Sequence, residues 1–279
     1  MKLLSQIKKD LEFNRDLTSL IDVLKDIAIF QYRSMERKIK SYDKIFLVLE
    51  SLFDIIPEGE DMQHPLLNLA QRAPGVIAVT SETGLLGALN REVMSMAMDE
   101  IQAKKARLII IGEKGKIYAQ ENNIPFVAFK GIKDEERLAQ AMQLRDYIVN
   151  EELNHRLGAV KVFYPYATSI MTQRIQGLQL LPFSKPEKRE SLIPLEMIIE
   201  SSLGDIVGYL IYIFLGQKFF EIFGLSRLAE MAARFIHLEE SGHKLEQIEK
   251  QLRIQYFRQR HELIDRSMRE LFAARLAFR

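Results

Sequence analysis

The sequence predicts an α/β protein: a long antiparallel coiled coil of N- and C-terminal helices plus a small α/β domain. Residues 1–56 contain neither glycine nor proline. Residues 225–279 contain one glycine, Gly242, and no proline, so nearly all backbone breakers lie between Pro57 and Gly224. The two flanks carry apolar residues at steps of three and four, whereas the middle alternates short apolar runs with helical patterns. The division that follows is an N-terminal coiled-coil helix over 1–57, an α/β domain over 74–182, and a C-terminal helical region over 195–279.

On the N-terminal arm the seam reads Leu3, Ile7, Leu17, Ile21, Leu24, Ala28, Met35, Tyr42, Ile45, Leu49, Leu52 and Ile56, with Asp10, Asn14, Gln31 and Lys38 interrupting it. Leu228, Ala232, Phe235, Leu238, Leu245, Ile248, Leu252, Tyr256 and Leu263 mark the C-terminal one. A mean step near 3.5 predicts a coiled coil rather than a helix lying on a globular core. Each arm would be about 80 Å long at about 1.5 Å per residue, too long for a compact domain to absorb. The two arms are therefore expected to pair with each other.

In the middle, Val76–Val79, Arg107–Ile111, Pro125–Phe129, Ala159–Tyr164 and Gln173–Leu181 read as strands. Leu85–Lys104, Lys114–Asn122 and Asp134–Leu153 read as helices, the last capped by Asp134. Such alternation predicts a largely parallel sheet. Phe183–Pro194 reads as a polar linker. "GYLIYIFLG", Gly208–Gly216, is apolar but short, and Asp205, Lys218 and Glu221 bracket it. A membrane span needs about 20 apolar residues, so a buried helix is expected.

Composition narrows the chemistry. Lysine and arginine total 39 against 38 acids, a net charge of +1 that gives no reason to expect a nucleic-acid partner. The absence of cysteine excludes disulfides, thiolate metal sites and cysteine nucleophiles. "MKLLSQIKKDLEFNRD" is too charged for a signal peptide. "VTSETGLLGALN", Val79–Asn90, has the look of a phosphate cradle, but Gly87 is followed by Ala88 and Leu89 where a Walker pattern needs lysine and a hydroxyl residue. Leu85 and Leu86 stand between its glycines, so a tight strand-to-helix connection is expected, with Gly84 and Gly87 serving backbone packing. "GEKG", Gly112–Gly115, is read as a solvated turn.

The five histidines, His64, His155, His237, His243 and His261, lack metal-pair spacing. Glu239 and Glu240 point in different directions on a helix, and Met94, Met96 and Met98 read as core. No catalytic residue, cofactor site or metal site is expected. Lys250–Arg279 carries eight basic residues and three acids, ending in the apolar "ELFAARLAFR". A basic end of this kind fits a partly acidic protein surface.

Four stretches resemble, in order, the gamma subunits of rotary F-type ATP synthases: "VTSETGLLGALN", "IIIGEKGKIY", "YPYATSIMTQRIQGLQLLP" and "EMAARFIHLEESGHKLEQIEKQLRIQYFRQR". Within the third, the resemblance rests on Tyr164, Gln173, Leu180, Leu181 and Pro182. In the fourth it rests on Glu230, Ala232, Ala233, Arg234, Leu252, Tyr256 and Arg260. The chain departs from the family at Ser241–Leu245 and at His261, as a divergent member would. The resemblance implies a coiled coil beside a Rossmann-like domain, acting as a non-catalytic rotor shaft without cofactor. Its implied partners are the catalytic and non-catalytic nucleotide-binding subunits of the ATPase hexamer, an epsilon-type subunit and the membrane rotor ring. The implied location is peripheral, on the cytoplasmic face of the inner or plasma membrane. Leu24, Arg260, His261, Leu271 and Leu276 are the implied contacts with the hexamer. Two other classes compete: a nucleotide-binding α/β protein, which needs phosphate contact at Ser81–Gly87, and an unrelated coiled-coil adaptor.

Overall fold

The computed structural model describes residues 2–39, 43–54, 66, 72–183 and 201–277. In order the elements are α1 (Lys2–Ile39), α2 (Asp43–Asp54), β1 (Gly75–Val79), α3 (Leu89–Lys104), β2 (Arg107–Ile111), α4 (Glu113–Glu121), β3 (Phe126–Phe129), α5 (Arg137–Leu153), β4 (Val160–Ser169), β5 (Thr172–Leu181) and α6 (Leu203–Ala277). They fall into two compact units, Met1–Ala28 with Phe235–Arg279, and Ile29–Arg234. Tyr42, Ile56, His64 and the linker from 184 onward lie outside the described residues.

The larger unit is built on a five-stranded sheet in the order β3-β2-β1-β4-β5. Its pairs are parallel except β4 with β5, which is antiparallel. Alternate side chains of β1 point to opposite faces, and both faces are covered. Val76 and Ala78 join Leu108, Ile110, Val93, Met94 and Ala97 under α3. Ile77 and Val79 join Ile109, Ile111, Leu144 and Ile148 of α5, with Ile211, Leu215 and Phe219 of α6. The apolar run at 208–216 is thus largely core: Ile211 and Leu215 are fully buried, and Tyr209 is the exposed exception. Met94 is core and Met98 packs beside it, but Met96 is exposed.

Two helix starts differ from the sequence reading. α3 begins at Leu89 because Leu85 and Gly87 adopt φ of 63° and 56°, which holds the chain out of the right-handed helix. α5 begins at Arg137, and no side chain caps it. Asp134 is drawn away: its carboxylate accepts from Arg227 Nε of α6 at 3.2 Å.

In the smaller unit, α1 to Ala28 and α6 from Phe235 run antiparallel. Arg15 faces Glu249 and Lys25, ten residues on, faces Glu239, so numbers rise along one helix as they fall along the other, with Asn14 on Leu245 between these levels of α6. Ile7, Leu11, Asn14, Ile21 and Ala28 are the buried residues of α1 within this unit, among the described residues, at steps of three, four and seven. Leu17 and Leu24 are half-buried flanks of that seam. Asn14 does not interrupt the seam but belongs to it, being 4% exposed and donating from Nδ2 to Leu245 O at 3.1 Å. Gln31 is exposed, and its neighbour Tyr32 takes the buried position, packing in the larger unit with Met35 on Leu228, Ala229 and Ala232.

Candidate functional site

The loop after β1 has the right place for a phosphate but is closed by its own side chains. Thr80 Oγ1 donates to Ile111 O at 2.7 Å and accepts the Gly115 N–H at 2.9 Å. Asn90 bridges Ser81, accepting its N–H at 2.9 Å and donating to its hydroxyl at 2.8 Å. The Ser81 hydroxyl in turn donates to Thr83 O at 2.7 Å. At the N-terminus of α4, where an anion would bind, the Glu82 carboxylate accepts the N–H of Glu113 at 3.3 Å and of Gly131 at 3.0 Å. Helix α6 covers the loop: Ala233 packs on Leu86 and Leu89, and Arg234 Nη2 donates to Thr83 Oγ1 at 2.9 Å.

The glycines divide their roles differently from the sequence reading. Gly84 faces open space: a Cβ added there would meet nothing closer than Lys114 Cε at 3.9 Å. Gly112 and Gly115, read as a solvated turn, are the tightly packed pair at the start of α4. A Cβ on Gly112 would lie 2.3 Å from Thr80 O, and one on Gly115 would lie 2.6 Å from Thr80 Oγ1. Gly112 also needs its φ of 97°.

The exposed surface of the paired helices is the second candidate. Leu24 is half-buried beside Lys25, whose Nζ lies 2.6 Å from Glu239. The hydrogen bond to Glu239 raises the Lys25 pKa, and the same bond holds the Glu239 carboxyl below its usual range. Arg260 and His261 are exposed on α6, and among the described residues Arg260 has no ion-pair partner. Arg260 lies 21 residues from Glu239, roughly 30 Å along the helix. Leu24 and Arg260 therefore occupy two levels of the pair and do not form one patch.

From Arg260 to Leu276 every described residue of α6 but Leu263 is exposed. Leu271 and Leu276 are 68% and 75% exposed there. Leu271 ends a stripe that the sequence reading missed: Ile254, Phe257, Ile264, Met268 and Leu271, all exposed, with His261 in the same row and Leu276 to one side of it. The steps of three and four are a second heptad stripe, offset from the seam, and that spacing was the available signal. On α1, Phe13, Leu20, Val23 and Ile27 are likewise exposed at heptad spacing.

A parallel-centred α/β domain with a continuous 75-residue helix, and a helix pair carrying outward apolar stripes, define an α/β protein with a long antiparallel coiled coil. The family model described as ATP synthase matches residues 3–277. The ATP synthase gamma chain of Symbiobacterium thermophilum is 27% identical over 228 residues, 80% of this chain and 79% of the relative. That of Desulfitobacterium hafniense is 23% identical over 271 residues, 95% of each. The rotor of Euglena gracilis mitochondrial ATP synthase shares the fold, with a TM-score of 0.68 at 15% identity over 94% of this chain and 99% of that one. The chain belongs to the gamma-subunit family of rotary F-type ATP synthases. It is accordingly a subunit of a membrane-associated ATP synthase complex.

Proposed function

We propose that the chain works as a non-catalytic shaft. It turns inside a hexamer of catalytic and non-catalytic nucleotide-binding subunits and shifts their conformational equilibria in turn. Residues 1–57 and 195–279 supply the shaft. Residues 74–182 supply the domain that meets an epsilon-type subunit and the membrane rotor ring, on the cytoplasmic face of the membrane. The observation that carries this reading is the end of α6, which from Arg260 to Leu276 is exposed apart from Leu263, basic and striped with apolar residues. Leu271 and Leu276 form an apolar bearing. Arg260 and His261 grip a polar or acidic loop of a catalytic subunit, and Leu24 makes a separate contact lower on the pair. The closed loop at Thr80–Asn90 supports a non-catalytic role, since its anion position holds Glu82.

Assembly of the complex with Arg260→Glu tests the grip. The variant should assemble yet lose at least about tenfold in ion-coupled ATP hydrolysis, the scale of a charge reversal at a desolvated contact. Full coupled activity in an assembled variant would refute it.

A further inference from the structure

Three side chains of α6 at 227, 230 and 234 lie on one helical face, at i, i+3 and i+7, and all turn toward the C-terminal rim of the sheet. Glu230 is 3% exposed and accepts from Arg227 Nη1 at 2.6 Å. Arg227 reaches on to Asp134, in the loop after β3, at 3.2 Å. Arg234 reaches Thr83, in the loop after β1, at 2.9 Å. The same face adds apolar contact through Ala233 on Leu86 and Leu89. A single helix is thus tied to two separate loops of the sheet, by the Arg227–Glu230 pair with its exposed reach to Asp134 and by the exposed Arg234–Thr83 hydrogen bond.

Hydrophobic contacts resist separation but let surfaces slide, because they are non-directional. A hydrogen-bonded charged network has fixed geometry and resists sliding and twisting. The core beneath α6, with Phe219, Phe223 and Leu215, is of the first kind, and the 227–230–234 row is of the second. Burying Glu230 against Arg227 is costly and adds little net stability, so these polar ties are better explained by geometry than by stability.

We propose that Arg227, Glu230 and Arg234, with Asp134 and Thr83, are positioning residues that lock α6 against rotation relative to the sheet. Torque entering through the α/β domain then reaches α6 without slip. This rests on the shaft reading above. The lock matters under load, when an ion gradient drives synthesis through the α/β domain. It matters less when unloaded ATP hydrolysis turns the helix pair.

The test uses the assembled complex with Glu230→Gln, and with Thr83→Val as a milder variant that removes one exposed hydrogen bond. The readout is the ratio of gradient-driven ATP synthesis to unloaded ATP hydrolysis, which a simple loss of folded complex leaves unchanged. Glu230→Gln should lower that ratio to about a tenth or less, the scale of losing one buried pair. Thr83→Val should lower it by about threefold, the scale of one solvent-screened hydrogen bond. The chain has no cysteine, so a Thr83→Cys/Arg234→Cys variant can be bridged selectively with a bis-maleimide. Bridging should restore the ratio. If amide exchange in α6 near Glu230 rises while the ratio stays at its wild-type value, the lock proposal is overturned. An unrestored ratio in the bridged variant also counts against it. Failure of the wild-type chain to assemble would overturn the shaft reading itself, a distinct result. Should Glu230→Gln not assemble, Thr83→Val and the bridged variant decide the matter.

Discussion

Replacing Glu82 by alanine removes an internal anion from the start of α4. The carboxylate accepts two backbone N–H groups, of Glu113 at 3.3 Å and Gly131 at 3.0 Å. Hydrogen bonds to a charged group contribute about 1.5–3 kcal/mol each when well buried. Glu82 is exposed and one of its two bonds is long, so solvent screening reduces the pair to about 1–2 kcal/mol in total. For a chain of this size that corresponds to a fall of about 2–6 °C in the thermal midpoint. Differential scanning calorimetry of the isolated chain measures it. A second arm titrates inorganic phosphate and ATP into both proteins. The wild-type chain should bind neither tightly, and Glu82→Ala should gain weak phosphate affinity at the vacated N–H groups. Tight nucleotide binding by the wild-type chain, or an unchanged midpoint in the variant, would refute the reasoning that this loop is sealed by its own carboxylate.

Other consequences are equally open to measurement. Gly112→Ala sets a Cβ 2.3 Å from Thr80 O at a φ of 97°. It should cost about 3 kcal/mol or more in chemical denaturation, above the range of ordinary backbone strain. Asn14→Leu should raise stability by about 1 kcal/mol while loosening register, visible as a broader distance distribution between spin labels on α1 and α6. Glu152 is fully buried and burial raises its pKa, against the pull of Arg72. Between the ordinary carboxyl value and that raised value the folded chain holds more protons than the unfolded one, so stability falls as pH rises through this window. Glu152→Gln should therefore be the more stable protein at neutral pH, with the advantage fading as the pH drops toward 4 in parallel melts.

Much of the architecture was legible in the sequence because its signals are local. The strand Arg107–Ile111 and the breaker-poor arms follow from period and composition alone. What stayed hidden depends on contacts distant in the chain. Asp134 precedes a helix as a cap would, but Arg227, 93 residues on, engages it instead. Gly112 and Gly115 look like a solvent turn until Thr80 is seen against them. Asn14 and Gln31 are both polar residues near an apolar row, and only the pairing with α6 separates the buried one from the exposed one. The outward stripe at Ile254–Leu271 has the same spacing as the seam, so periodicity announces both without saying which is covered.

The heptad seam of the helix pair gives the shaft a hand. Residues that repeat every 3.5 positions hold two right-handed helices in contact only by coiling them left-handedly about each other. Twisting such a pair further in its own sense draws the seam side chains deeper into their sockets. Twisting it the other way lifts them out. A chain with Asn14 pinned to Leu245 and Lys25 to Glu239 thus resists the two senses of rotation unequally. The pair is expected to coil with one hand only, a chirality written in the spacing of Ile7, Leu11, Asn14, Ile21 and Ala28.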